Sequence, residues 1–95
     1  MPLRHYIIER NIPRVGSLDR DQLRAAAAKS NECLREIGFD IQWVESFVTA
    51  DKLFCHYLAD SPETIRRHAE MSGFPATVIT EVKKRIDPTT ASPAM

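Results

Sequence analysis

Hydrophobic spacing switches several times along the chain, between the two-residue period of strands and the wider period of helices. From Leu3 to Arg10 (LRHYIIER) β-branched and aromatic residues recur at strand spacing. Side chains alternate between faces along a strand, so one side carries Leu3, His5, Ile7 and Glu9, and the other Arg4, Tyr6, Ile8 and Arg10. Neither side is clearly polar, which predicts a central strand. Pro13 and Gly16 mark the loop that follows. The period then becomes helical. Leu23, Ala27, Ser30, Leu34 and Ile37 form one stripe, widened by Ala26 and Cys33. Asp19 and Gln22 fit the N-cap and N3 of a capping box, and Leu18 with Leu23 fits a hydrophobic staple. Gly38 is placed to end this helix in a left-handed conformation.

Ile41 to Leu58 (IQWVESFVTADKLFCHYL) returns to strand spacing and predicts a hairpin with a two-residue turn at Ala50-Asp51. That turn sets Thr49 opposite Lys52, Phe47 opposite Phe54, Glu45 opposite His56 and Trp43 opposite Leu58. The aromatic face is then Ile41, Trp43, Glu45, Phe47, Phe54, His56 and Leu58. Gln42, Val44, Ser46, Val48, Leu53, Cys55 and Tyr57 make the other face, suited to a helix rich in alanine. Ser61 and Pro62 give an N-cap and an N1 proline for a second helix. Its inward residues are Ile65, Ala69 and Ser72. His68, beside them and flanked by charged Arg67 and Glu70, is expected on the solvated face, with surface metal capture as the second reading. Gly73 and Pro75 end the helix. Ala76 to Ile86 has strand character, with Lys83-Lys84-Arg85 protecting an edge by charge.

The order β-α-β-β-α-β predicts an α+β, ferredoxin-like fold: an antiparallel four-stranded sheet with two helices on one face. A single domain over residues 1–87 is expected, with 88–95 as a flexible tail. Helices on one side leave the aromatic face of Trp43, Phe47, Phe54 and Leu58 without cover. A homodimer through that face is the simplest way to bury it.

Charge narrows the classes of partner. Thirteen basic and thirteen acidic residues leave a net charge of zero, so no electrostatic hold on nucleic acid or membrane is indicated. The beginning, MPLRHYIIER, lacks the apolar core of an export signal, and Cys33 and Cys55 are far apart. A cytoplasmic location with free thiols is therefore expected.

Catalytic patterns are absent: there is no Cys-x-x-Cys pair, no nucleophile elbow and no glycine-rich phosphate loop. No catalytic residue is assigned, and a non-enzymatic role is favoured. Cys33 and Cys55 are read as packing residues. Trp43 suits core or interface, or an aromatic wall for a small ligand. The polar residues of the aromatic face are the candidates for chemistry. Glu45 and His56 adjoin across the hairpin, and His5 on the neighbouring strand is a third member. Two imidazoles and a carboxylate suit a first-row ion such as nickel or zinc. A carboxylate–imidazolium pair at a dimer seam accounts for the same residues without a ligand. It is the simpler reading of the residues, because their spacing matches no helical metal motif such as His-Glu-x-x-His.

The chain also resembles a known family. The resemblance rests on Lys29-Ser30-Asn31, on Ile41 through Val48, and on Asp51-Lys52-Leu53-Phe54-Cys55. It continues through His68-Ala69, Gly73-Phe74-Pro75 and Asp87-Pro88. The family comprises small bacterial proteins of ferredoxin-like fold and largely unknown function, and it includes nickel-binding homodimers. The resemblance implies nickel bound at the surface for sequestration. Its motifs do not single out the ligands. The same architecture also hosts small dimeric enzymes, including cofactor-free monooxygenases and lactone isomerases, and such an enzyme or a small-ligand-binding or purely structural role is the alternative reading.

Overall fold

In a computed structural model describing residues 2–93, strand β1 (Arg4–Asn11) lies at the centre of a four-stranded antiparallel sheet. Residue 1 of the expected domain and residues 94 and 95 of the expected tail lie outside the described residues. Helix α1 (Arg20–Ile37) leads into β2 (Ile41–Val48) and its hairpin partner β3 (Lys52–Ala59). Helix α2 (Pro62–Ser72) and β4 (Val78–Glu81) complete the order. The strands lie β2-β3-β1-β4, with both helices on one face, as the element pattern predicts.

The local signals act where they were read. The Asp19 side chain accepts from Gln22 N–H at 2.8 Å, and Gln22 Oε1 accepts from Asp19 N–H at 2.9 Å. Two orphan donors of the helix start are thereby satisfied. Ser61 caps α2 and Gly73 ends it in the left-handed region at φ 80°. Gly38 ends α1 at φ 92° and ψ −139°, a positive-φ conformation other than the left-handed helical one expected. Ala26 and Ala27 face the sheet, half-buried, and their small side chains leave space beneath α1.

The core is the layer between helices and sheet. Tyr6, Ile8, Ile41, Cys55, Tyr57, Ala59 and Ile65 are buried there, with Leu34, Ile37 and Trp43 packed against them. Cys33 and Cys55 are both buried free thiols. A 3-10 turn, Val15–Ser17, covers one end of this layer. Gly16 donates to the Ala50 carbonyl at 3.0 Å, and a methyl group at Gly16 would meet Thr49 O at 2.7 Å. Only glycine lets the turn approach the hairpin so closely.

The hairpin turns at Ala50-Asp51 as read, with Thr49 N–H donating to Lys52 O at 2.9 Å. Phe47 pairs with Phe54 and Glu45 with His56. Beyond that point the expected register fails. Trp43 pairs with Tyr57 and not with Leu58, so Val44 has no residue opposite it. This β-bulge reverses the alternation along the first half of β2. Trp43 and Ile41 turn to the helix face, and Gln42, paired with Leu58, turns to the open face. The open face therefore lacks Trp43. Its apolar residues are Phe47, Phe54 and Leu58, joined by Ile7 and by Val78 of β4.

β4 is also shorter than its sequence suggests. It pairs with Tyr6 to Glu9, and Val82 N–H still donates to His5 O at 2.8 Å. Residues beyond Val82 would have to pair with the very beginning of β1, where no further ladder exists. Lys83, Lys84 and Arg85 therefore follow the edge strand and do not form part of it. In the segment read as a tail, Asp87 caps a 3-10 turn over Pro88–Ala91.

Candidate functional site

The bare face of the sheet gathers the three residues picked out as candidate ligands. His5 extends from β1, His56 from β3 and Glu45 from β2. His56 lies between Ile7 on one side and Glu45 on the other, and His5 is its diagonal neighbour on β1. Diagonal neighbours are within reach of long or ring side chains. The imidazoles meet: His5 Nδ1 and His56 Nε2 are 2.8 Å apart, with ring centroids at 5.1 Å. One nitrogen donates and the other accepts. Glu45 is exposed, opposite His56 in the register, and forms no ion pair with either imidazole among the described residues. Nor do three or more His, Cys, Asp or Glu side chains converge on one metal-sized point among those residues. The two histidines come together in one chain, and the carboxylate stands beside them without closing the set.

The donors suit a first-row ion in part. Metal–imidazole bonds of about 2.1 Å place two adjacent ligand nitrogens about 3.0–3.4 Å apart. The observed 2.8 Å is close to that spacing, and to chelate one ion both rings would have to turn their nitrogens away from each other, breaking the hydrogen bond between them. Glu45, water or a second copy of the chain would have to supply the remaining ligands.

Phe47 is 61% exposed and Val78 43% exposed on this same face. Lys52 and Glu9 form an ion pair at 3.6 Å near the hairpin end. The histidine pair is thus set in a surface that is largely apolar, with few charges to compete for a ligand.

The helix face holds a second polar group, which the sequence reading missed. Arg10 is 1% exposed and His68 0% exposed. This overturns the expected solvated position of His68 on α2. With Ile65 and Ser72 it forms an i, i+3, i+7 stripe, and that stripe faces inward. The flanking charges of Arg67 and Glu70 gave the misleading signal. His68 Nε2 bonds to Ser30 Oγ of α1 at 3.2 Å, and its ring lies 5.5 Å from that of Tyr57. Burial, reinforced by the Arg10 charge, holds the His68 pKa below its ordinary value, so the ring is neutral at neutral pH. Arg10 Nη1 donates to the carbonyls of Phe74 at 3.0 Å and Pro75 at 3.2 Å. Its Cζ lies 5.7 Å from the Tyr57 ring centroid, and Trp43 stacks on the same Tyr57 ring with centroids 6.5 Å apart. Burial pushes the Tyr57 hydroxyl up, against the pull of Arg10. The available signal for Arg10 was its alternation with Tyr6 and Ile8, which places it on the buried side of a central strand. Ser30, His68, Phe74 and Pro75 all belong to the motifs that carry the family resemblance, and they meet in this layer.

Fold and site together define a small ferredoxin-like α+β domain with an imidazole pair on its open sheet face. The chain belongs to the nickel-responsive SCO4226-like family, whose profile matches residues 6–82. The crystal structure of SCO4226 from Streptomyces coelicolor A3(2) superposes with a TM-score of 0.74. The alignment covers 86% of this chain and 99% of that one at 18% identity, a likeness that establishes the fold. None of the curated proteins matches the chain. Among the described residues no helix is long and apolar enough to cross a membrane.

Proposed function

We propose that this protein binds nickel as cargo on the open face of its sheet, through His5 and His56 with Glu45 as the oxygen donor, and works as a homodimer through that face. The single observation that supports this reading best is the 2.8 Å approach of the two imidazole nitrogens. Membership of a family named for its response to nickel favours nickel over other ions of similar chemistry. Imidazole and carboxylate donors suit such an ion. The role is sequestration. The protein presents ligands at a surface and supplies no group that would transform a substrate there. A dimer seam across Phe47 and Val78 would lower the local dielectric and bring a second set of donors close. The cytoplasm suits the two buried free thiols.

Calorimetric titration with nickel, zinc and cobalt tests the reading. Nickel should bind stoichiometrically to the wild type. Loss of an outer-shell partner already costs roughly tenfold or more in metal affinity, so His56→Ala and His5→Ala should each cost at least that. Protons compete with metal for neutral imidazole, so affinity should fall under mildly acidic conditions. Equal nickel affinity in wild type and His56→Ala would place the metal elsewhere and overturn the assignment.

A further inference from the structure

We infer that the cavity between α1 and the sheet is a binding site for a small organic monocarboxylate, whose carboxylate is received by Arg10. The site lies on the opposite side of the sheet from the histidine pair and does not depend on it. The cavity measures about 290 Å³. Protein interiors pack with few voids larger than a water molecule. A cavity of about 150 Å³ is already enough to take up benzene. At the roughly 30 Å³ that a water occupies in the liquid, 290 Å³ corresponds to about ten non-hydrogen atoms. The space exists because α1 turns Ala26 and Ala27 towards it where larger side chains would close it. Val48, 44% exposed on the edge strand β2, lines the cavity and marks its opening to solvent.

Its chemistry is that of an apolar slot with one fixed cation. Leu23, Leu53 and Trp43 line the walls, and Ser30, Tyr57 and Arg10 supply the polar atoms. A guanidinium is a cation with donors only. Burying a charge is costly unless it is paired. Yet no ion pair among the described residues involves Arg10. Nη1 is used by two carbonyls, whereas Nη2 has no partner and lies sealed behind the cavity lining, so that a carboxylate reaches it as the guanidinium turns towards the slot. The carbonyls and the Tyr57 ring hold the guanidinium in place without neutralising it. His68, the titratable neighbour across the layer, is neutral and brings no counter-charge. The planar fork of a guanidinium matches a carboxylate, and the stacked Trp43 and Tyr57 rings offer a flat wall for its apolar body. A second charge on the ligand would have no partner in these walls, which makes it a monoanion.

Trp43 is the only tryptophan of the chain and lines the cavity, so its fluorescence reports occupancy directly. Benzoate, phenylacetate and cyclohexanecarboxylate should be titrated against their neutral amides on the full chain, with calorimetry in parallel. The carboxylates should perturb Trp43 saturably and bind roughly tenfold or more tightly than the amides, as a charge-assisted hydrogen bond requires. Arg10→Gln should remove that preference. Ala27→Leu should fill the slot and abolish binding of acids and amides alike while leaving the circular dichroism unchanged. Equal affinity of acids and amides for the wild type overturns the inference, as does the absence of any saturable Trp43 signal at millimolar ligand. Undiminished binding to a folded Ala27→Leu protein overturns it too. The wild-type comparison decides the matter even where a variant fails to fold. Nickel titration of the same samples reads the histidine pair separately, so failure of either site is distinguishable from failure of the other.

Discussion

At the scale of single residues, two histidine environments separate. His5 and His56 share a hydrogen bond at the surface, and His68 is enclosed against Ser30 and Tyr57. Burial depresses the folded-state pKa of His68, and this makes stability depend on pH with a definite sign. In the unfolded chain the imidazole takes up a proton near pH 6.5, while in the folded protein it still resists protonation. The stabilising contribution is complete above about pH 6.5 and declines as pH falls towards the depressed value. The decline is at most about 1.4 kcal/mol per pH unit, the limit for one proton. Urea unfolding from neutral to mildly acidic pH should show this slope in the wild type and a shallower one in His68→Gln. An unchanged acid slope in that variant would show that another group carries it.

At the scale of elements, the bulge at Val44 is the feature on which both proposed sites depend. It lets Glu45 face the histidines while Trp43, two positions earlier, faces the helices. In a regular strand those two residues would share a face. Because Val44 has no opposite residue, deleting it leaves Trp43 against Tyr57 and Glu45 against His56. The deletion should therefore be tolerated, with the Trp43 emission spectrum retained and the thermal midpoint only modestly shifted by lost twist. A red-shifted, solvent-exposed Trp43 in the deletion variant would mean that the strand had slipped. The hairpin turn acts in the opposite way. Its Thr49–Lys52 closure pins every pair from Phe47 and Phe54 to Glu45 and His56.

At the scale of the whole molecule, the two faces of the sheet have different surroundings. One is covered by both helices and encloses the Arg10 layer. The other exposes Phe47 and Val78 around the histidine pair. Apolar surface left in water forgoes roughly 25 cal/mol per Å² of burial. A second copy of the chain, which presents the same patch, would remove it from water on both sides. On the proposed dimer, Phe47→Glu should shift the sedimentation profile towards monomer or aggregate. Sedimentation of the wild type as a stable monomer at micromolar concentration would count decisively against the dimer.

Much of this organisation is determined by local sequence. The capped start of α1, the Ser61-Pro62 start of α2 and the two-residue turn each depend on neighbours a few positions away. Element order and the Glu45–His56 pairing follow from them with no knowledge of the rest. Tertiary structure decided what depends on contacts distant in the chain. Val44 looks like any β-branched strand residue, and its bulge shows only in the pairing of Trp43 with Tyr57 beside that of Glu45 with His56. His68 sits among charges in the sequence, yet Ser30, thirty-eight positions away, gives it a buried partner. The meeting of His5 with His56 depends on β1 and β3 lying side by side, fifty-one residues apart in the chain. Arg10 shares a strand face with Tyr6 and Ile8, but nothing local marked that face as buried, and its charge became informative only when the fold placed two carbonyls and no carboxylate beside it. The physical reason is the same throughout. Caps, turns and alternation act over a few residues, whereas burial and electrostatic pairing are set by whatever the closed fold brings near.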